Sequence, residues 1–385
     1  MANPNYICDI NRLTNLPEGE RKRLARVTRQ FPFLANDYYL SLIDWEDPKD
    51  PIRRIVVPQE EEMETWNWGK LDPSNEQKFR VAPGLQHKYR QTALMLVTGR
   101  CDSLCRYCFR KRLFTRGEAK KDINRNYRPA LDYISRHEEI TSVLLTGGDP
   151  LVLPTAKLDE IIGGLDPIPH VRTIRIGSKV PAYNPFRMLE DAELPRLFTR
   201  YSRTDRRLYL ITHFLHPREL TQPARRAVGS VIDAGGIVCN QSPLIRGVND
   251  DPTVLAELFR ELAASGIIPY YVFQCRPTKG NLAFAVPIDR GVDVFYAAQG
   301  ECTGLASRVR YCMSHARGKI EILGKRCGQV FMRFHRTPDE ADHGRIMSFP
   351  SLPGAYWLDD YLKADLSPWA GHREPRRTRS AASGQ

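Results

Sequence analysis

Three cysteines stand close enough in the chain to act as one group: Cys101-Asp102-Ser103-Leu104-Cys105-Arg106-Tyr107-Cys108, a C-x3-C-x2-C spacing. Thiolates are soft ligands that suit zinc or iron–sulfur clusters. A structural zinc ion takes four protein ligands, and no fourth lies nearby in the sequence. On a cubane cluster, three thiolates leave one iron open. An open iron can be chelated by the amino and carboxylate groups of S-adenosylmethionine, the step from which adenosyl-radical chemistry starts. A zinc loop that merely ties the chain is the competing reading. The six remaining cysteines, Cys8, Cys239, Cys275, Cys302, Cys312 and Cys327, are scattered singly. They read as small buried hydrophobes of a reducing compartment, where thiols stay free.

A loop of this kind must be held by something rigid. Short β-rich runs recur through the middle of the chain: ALMLVT (93–98), SVLLTG (142–147), RTIRIG (172–177), RLYLIT (207–212), GIVCNQ (236–241) and PYYVFQ (269–274). Between them lie helix-like segments, such as Thr155–Ile162 and Pro252–Ala264, the latter with Val254, Leu255, Leu258, Phe259 and Leu262 at helical spacing. A strand plus a helix about every 30 residues is the length of a βαβ unit. The pattern predicts an α/β core built on a parallel sheet or barrel. In such cores ligands collect at the carboxyl ends of the strands. The polar residues fall there: Cys101 after the first strand, Gly147-Gly148-Asp149 after the second, Ser178 after the third, His213 after the fourth, Gln241 at the fifth and Cys275-Arg276 after the sixth.

The chain has 385 residues, a formal net charge of +12 and 42% hydrophobic content. This excludes collagen-like and wholly disordered classes. The length suits two or three domains, or one α/β barrel with extensions. No run approaches the ~18 apolar residues of a membrane span, and MANPNYICDINR has no apolar stretch behind a basic start. A cytoplasmic protein with no membrane partner is expected. Much of the basic excess sits in the arginine-rich tail His372–Gln385, which reads as disordered. No zinc-finger or aromatic RNA-binding motif accompanies that charge, so a nucleic-acid partner is not expected.

The cysteine spacing, Tyr107 before the third cysteine, and the glycine-rich Gly147-Gly148-Asp149-Pro150 resemble the radical S-adenosylmethionine superfamily. Over roughly residues 45–335 the chain is similar, more narrowly, to the lysine 2,3-aminomutase family. The markers are DPKDPIRR, VAPGLQHKYRQTALMLVTGRCDSLCRYCFRKR, LLTGGDPL, RIGSKVP, THFLHP, NQSPLIRGVNDD, PYYVFQCRPTKG and SHARGKIEI, in that order. The resemblance implies a partial (β/α)6 TIM-like barrel over 93–299, after a mostly helical or irregular extension over 1–92. A segment over 300–348 completes the active site, and an extension over 349–385 carries the basic tail.

The implied cofactors are a 4Fe–4S cluster on Cys101, Cys105 and Cys108, S-adenosylmethionine, and pyridoxal 5′-phosphate. By matched motif, the segment Gly147, Gly148 and Asp149 receives the methionyl amino group. Tyr107, Ser178, His213 and Gln241 are implied as contacts of S-adenosylmethionine or of the second cofactor. Lys88 and Tyr89 precede the first strand where relatives contact pyridoxal phosphate, and Lys319 corresponds to the lysine that forms an imine with it. Arg110 is placed for the substrate carboxylate, which guanidinium geometry suits.

The chain also departs from the pattern. Lysine-specific members grip the distal ammonium of the substrate with two aspartates, whereas the corresponding places here hold Arg276 and Cys312. A guanidinium in place of a carboxylate inverts the charge of that subsite. Arg276 suits a carboxylate or phosphate on the far end of a substrate, or pairs with an acid of the protein. The cysteine cluster that binds zinc near the C-terminus of some relatives is absent, since no cysteine follows Cys327. Any homo-oligomer is therefore held together differently. The expected function is an amino-acid 2,3-aminomutase acting on an amino-acid-like small molecule other than free lysine, with a reductant of the flavodoxin or ferredoxin type. Two alternatives remain at this stage. One is a radical rearrangement, dehydration or epimerisation without pyridoxal phosphate, and the other is a non-catalytic iron–sulfur protein associated with nucleic acid.

Overall fold

The computed structural model describes residues 4–67, 69–114, 123 and 126–364, so the basic tail lies outside the described residues. Strands β1 (Tyr6–Ile7) and β2 (Ala35–Asn36) form a small antiparallel pair. The other strands belong to one sheet: β3 (Arg80–Ala82), β4 (Leu85–Tyr89), β5 (Thr92–Thr98), β6 (Ser142–Gly147), β7 (Thr173–Gly177), β8 (Arg207–Thr212), β9 (Ile237–Leu244), β10 (Ile268–Gln274), β11 (Arg310–His315), β12 (Gly318–Arg326), β13 (Gln329–Arg336) and β14 (Ile346–Pro350). Their order in the sheet is the chain order reversed, β14 to β3. The fold is mixed α/β, and its sheet is parallel from β5 through β11. Antiparallel strands flank it on both sides.

Each parallel step is crossed by a helix: Arg128–Ser135, Thr155–Leu165, Glu193–Tyr201, Gln222–Asp233, Pro252–Ala264 and Ile288–Gly300. The helix Pro252–Ala264 starts where the side chain of Asp251 accepts the N–H groups of Thr253 and Val254, with Pro252 at the first position. It buries Leu255, Leu258, Phe259 and Leu262. Along the strands the two-residue period sorts side chains. Val143 and Leu145 of β6, and Ile174 and Ile176 of β7, join the core beneath the helices. The alternate residues Leu144, Thr146, Arg175 and Gly177 face a cavity.

All six strands expected from the β-rich runs are present within a residue or a few at each end. The sheet is wider than those runs imply. β3 and β4 extend it into the region read as a helical or irregular extension, and β11 adds a seventh parallel strand. The run of β11, RYCMSH, carries Arg310, Ser314 and His315 and lacks apolar alternation. Its neighbours in the sheet, rather than its own propensity, make it a strand.

The chain before β3 forms a second core. Ile10, Leu24, Phe33, Tyr39, Ile52 and Ile55 pack with Tyr107, Tyr183, Leu215, Ile245 and Phe284 from the strand-end loops. One ion pair locks this layer onto the cysteine loop. Arg106, between Cys105 and Tyr107, is buried and donates to both carboxylate oxygens of the equally buried Glu62 at 2.8 and 2.9 Å. Its remaining donors meet the carbonyls of Pro32 and Phe31 at 2.7 and 3.1 Å. Lys111 Nζ completes the group, 3.4 Å from Glu62 and 2.9 Å from the carbonyl of Gly280. Removing one partner of a buried pair strands the other charge, at a cost of about 3–5 kcal/mol. Glu62→Gln is therefore expected to lower unfolding stability by about that amount in denaturant titrations. A loss below about 1 kcal/mol, the range of exposed pairs, would remove the pair from this role.

Candidate active site

A cavity of about 340 Å³ opens at the carboxyl ends of the parallel strands. It is lined by Cys101, Cys105 and Cys108 on one side and by Lys319, Arg336 and Tyr89 among others. The cysteine loop leaves β5 and is fixed from beneath by the glycine pair ending β6. Gly148 N–H donates to the carbonyl of Thr98, and Asp149 N–H to that of Arg100, each at 2.7 Å. A Cβ on Gly148 would lie 2.1 Å from the Arg100 oxygen. Gly147 has φ +125°, and a Cβ there would lie 2.3 Å from the Thr98 oxygen. The glycines are thus required by the neighbouring strand end, in addition to lining the cavity.

Asp149 ties two strand ends together. Its Oδ1 accepts from Leu151 N–H at 3.0 Å, and its Oδ2 from Lys179 and Val180 N–H at 2.7 and 3.1 Å. Burial still raises its pKa to about 6. Ser178 Oγ accepts from Val180 N–H at 3.0 Å. Lys179 is held by the carbonyl of His213 at 2.7 Å and by Glu219. His213 lies near-parallel to the ring of Tyr107, and burial, then the charge of Lys179, lowers its pKa to about 3, so it is a neutral imidazole. Gln241 lines the cavity from β9.

The three thiols are free, and burial holds each above the usual thiol range, Cys108 at about 11. The hydroxyl of Tyr183 lies 2.9 Å from Cys105 Sγ, and Arg110 N–H donates to Cys108 Sγ at 3.4 Å. Among the described residues no three His, Cys, Asp or Glu side chains converge on one metal position. Three thiols spaced around a cavity suit a polynuclear cluster, in which each sulfur takes its own iron, better than one zinc ion. The buried Ser103 Oγ of this loop has no hydrogen-bond partner in the protein and Ser103 lines the same cavity, so the wall offers a polar group to a ligand.

The rest of the wall mixes cationic side chains with aromatic and aliphatic ones. Arg110 donates to Glu76 through Nε and Nη2 at 3.1 and 2.8 Å, and to Thr146 through Nη1 at 2.8 Å. Arg112 also donates to Glu76, at 2.7 Å. Burial acts to raise the Glu76 carboxyl, and Arg110, Arg276 and Arg112 together hold it down at about 2. Arg276 stacks on Phe109, its guanidinium carbon 3.7 Å from the ring centre, and donates to Ser74 at 2.7 Å. Burial lowers its pKa to about 10. Lys88 donates to the carbonyl of His315 at 2.6 Å and lies over the rings of Phe79 and Tyr89. Lys319, second residue of β12, puts its Nζ 4.1 Å from the ring centre of Tyr271 and 5.1 Å from that of Phe273. Burial lowers its pKa to about 7; the nearby Cys312 opposes this, and Arg175, Arg336 and Arg276 add to it.

Of the residues singled out in the sequence, Cys312 is the one set apart from this wall. It is fully buried in β11 beside Lys319 and is not among the cavity-lining residues, although the two-residue period puts it on the face of the strand that carries the cavity-lining Ser314, opposite the core residues Tyr311 and Met313. Conversely, sequence reading passed over Glu76, Phe109, Arg175 and Arg336. Glu76 lies in an irregular stretch with no pattern to mark it. Arg175 did leave a signal: an arginine between Ile174 and Ile176 in a strand whose alternation buries both neighbours.

Two outcomes follow from this geometry. Gly148→Ala, forced against the Arg100 backbone, should leave the helical circular-dichroism signal intact while iron bound after anaerobic reconstitution falls well below the wild-type level. Equal iron in both proteins would contradict the assigned contact. Because the Lys319 amine loses its proton near pH 7, its reductive methylation, followed by mass spectrometry, should reach half its maximum near that pH, far below an ordinary lysine.

No family model matches the chain. It is 51% identical over 359 residues to a protein of Aquifex aeolicus named "Putative L-lysine 2,3-aminomutase", with 93% of this chain and 95% of that one covered. To the L-lysine 2,3-aminomutase of Clostridium subterminale it is 34% identical over 296 residues, covering 77% and 70%. It is 33% identical over 305 residues to the glutamate 2,3-aminomutase of Clostridioides difficile, covering 78% and 70%. Among the described residues no helix is long and apolar enough to cross a membrane.

Proposed function

The chain belongs to the lysine 2,3-aminomutase family of radical S-adenosylmethionine isomerases, and from that premise we propose that it is a pyridoxal-phosphate-dependent 2,3-aminomutase of an amino acid with a second anionic group. The observation that carries this reading is one cavity shared by the cysteine triplet, an enclosed lysine of lowered pKa, and two arginines on the wall between them. When bound, the cluster with S-adenosylmethionine supplies a 5′-deoxyadenosyl radical, and pyridoxal phosphate supplies the π system across which nitrogen moves to the adjacent carbon.

The residues of the chain supply position and charge. Cys101, Cys105 and Cys108 hold the cluster, and the clamp of Gly147, Gly148 and Asp149 sets the height of their loop. Ser178, His213, Gln241 and Tyr107 border the space left for the nucleotide and the pyridoxal. The neutral His213 donates or accepts a hydrogen bond without adding charge. Lys319, largely able to lose its proton at neutral pH, is the amine for the pyridoxal aldehyde, with Tyr89 as a packing surface and Lys88 beside it. Arg110 has five donors, of which Glu76 and Thr146 engage three, so its outer N–H pair remains for a substrate α-carboxylate.

Arg276 selects the far end of the substrate. One carboxylate, that of Glu76, faces the three guanidiniums of Arg110, Arg276 and Arg112, so the cluster keeps an excess of positive charge. Two like charges about 4 Å apart repel by about 4 kcal/mol at an effective dielectric constant of about 20, which disfavours the ammonium of lysine and favours a carboxylate. A family relative named for glutamate supports a pocket of this class. We also infer that β5 to β10 curve as a partial (β/α)6 barrel. A flat sheet would separate β5 from β10 by about 24 Å at about 4.8 Å per strand, yet Leu94 of β5, Arg175 of β7 and Phe273 of β10 line one cavity.

The test uses anaerobically reconstituted protein with dithionite, S-adenosylmethionine and pyridoxal phosphate, and compares L-glutamate, L-2-aminoadipate and L-lysine as substrates. A β-amino acid should form from a dicarboxylate with release or recycling of deoxyadenosine, and Arg276→Gln should cut kcat/KM for it by about 10–100-fold. Preferential turnover of lysine by the wild type defeats the assignment of Arg276. Deuterium transfer to deoxyadenosine without nitrogen migration defeats the aminomutase reading while leaving that of Arg276 intact.

A further inference from the structure

One sulfur of the cysteine triplet has a hydrogen-bond donor that belongs to a side chain. The hydroxyl of Tyr183 lies 2.9 Å from Cys105 Sγ, and among the described residues this sulfur is the partner of that hydroxyl. A thiolate that ligates iron carries no proton, so on a loaded Cys105 the phenol is the donor. Cys108 accepts as well, from the main-chain N–H of Arg110 at 3.4 Å, but any residue other than proline at that position would supply the same donor. The donor to Cys105 exists only because the side chain is tyrosine.

Its surroundings fix that phenol in place. Tyr183 closes the short helix Val180–Tyr183 behind β7, and the Asp149 carboxylate holds the start of this helix through the N–H groups of Lys179 and Val180. The N–H of Tyr183 donates to the carbonyl of Lys179 at 2.9 Å, and its carbonyl accepts from Asn36 Nδ2 at 2.9 Å. The ring meets Tyr39 edge-on, with centres 4.4 Å apart, inside the N-terminal core. Tyr39 is anchored in turn, its hydroxyl donating to Glu219 at 2.6 Å. Tyr183 is fully enclosed, and a phenylalanine would fill the same apolar place with no polar atom to satisfy. Packing therefore does not account for the hydroxyl.

A charge strengthens the donor. Lys179 Nζ lies 4.9 Å from the centre of the Tyr183 ring, held there by Glu219 and by the carbonyl of His213. A cation at the face of a phenol draws electron density from the ring and polarises its O–H group. The potential of an iron–sulfur cluster depends on hydrogen bonds to its sulfurs. The added electron of a reduced cluster spreads onto the thiolates, so a donor to one of them stabilises the reduced state more than the oxidised one.

We propose that Tyr183 is a positioning residue which, through its hydrogen bond to Cys105, raises the potential at which the cluster accepts its electron. This rests on Cys105 being a cluster ligand. The bond eases entry of an electron from an external donor such as dithionite and weakens the drive to pass it on.

The experiment is a redox titration of the full-length, anaerobically reconstituted protein without S-adenosylmethionine, pyridoxal phosphate or substrate. The paramagnetic signal of the reduced cluster is read against the applied potential. Tyr183→Phe should be reduced about tenfold less readily, which for one electron is a midpoint lower by about 59 mV. Tyr39→Phe disturbs the same packing without touching Cys105 and should keep the wild-type midpoint. A midpoint is a property of each cluster, so partly loaded protein reports it equally well. Equal midpoints in the wild type and Tyr183→Phe overturn the proposal, and so does an equal fall in both variants. A Tyr183→Phe protein that takes up no iron makes the contact purely structural and overturns it too. If the wild type itself gives no cluster signal, the reading of the three cysteines fails and the proposal with it, whereas equal midpoints leave that reading standing.

Discussion

Charge taken out of water has to be answered by charge or by hydrogen bonds, and this protein meets that demand unevenly. Away from the cavity, and at Lys179 in its wall, buried cations are closely paired. Arg106 and Lys111 share Glu62, Lys179 has Glu219, and Arg206 is surrounded by the carboxylate of Asp166 and the carbonyls of Asp166, Ile168 and Val171. Inside the cavity Glu76 is the single carboxylate facing Arg110, Arg112 and Arg276, while Arg175, Lys319 and Arg336 face each other with none. The first set holds the structure together. The second carries the strained electrostatics expected at a functional site.

The two halves of the cavity are built by different means. The cysteine end depends on backbone contacts: the glycine pair of β6 beneath the loop, the clamp of Asp149 across two strand ends, and the buried Arg106–Glu62 pair above. Its tolerance for displacement is small, because those contacts leave no room even for a Cβ. The lysine end depends on a hairpin outside the parallel repeat. β11 continues the parallel sheet, β12 turns back beside it, and β13 brings Arg336 alongside Lys319. The antiparallel flank therefore delivers Lys319 and Arg336 to the end of the sheet where the parallel strands place the cysteines.

The N-terminal layer has a corresponding role. Its apolar residues cover Tyr107, Tyr183 and Phe284, and its carbonyls and Glu62 absorb the charge of Arg106. Covering the loop in this way limits water near the thiols and strengthens every electrostatic interaction around them. The same segment includes Glu76, whose carboxylate orients Arg110 and Arg112. An extension that reads as irregular in sequence thus contributes one acid to each of the two charge clusters.

What the sequence alone determined was local: a three-cysteine spacing, the period of strand and helix, and a glycine pair at a strand end. Each is written within a few residues, because a metal-binding loop, a two-residue strand period and a tight backbone approach are short-range demands. Tertiary structure decided which charges are answered. That Arg106 is a structural cation and Arg175 is not, that Cys312 is enclosed beside the lysine, and that Glu76 stands opposite Arg110 depend on residues 30 to more than 200 positions apart coming together in a medium where an unanswered charge is expensive.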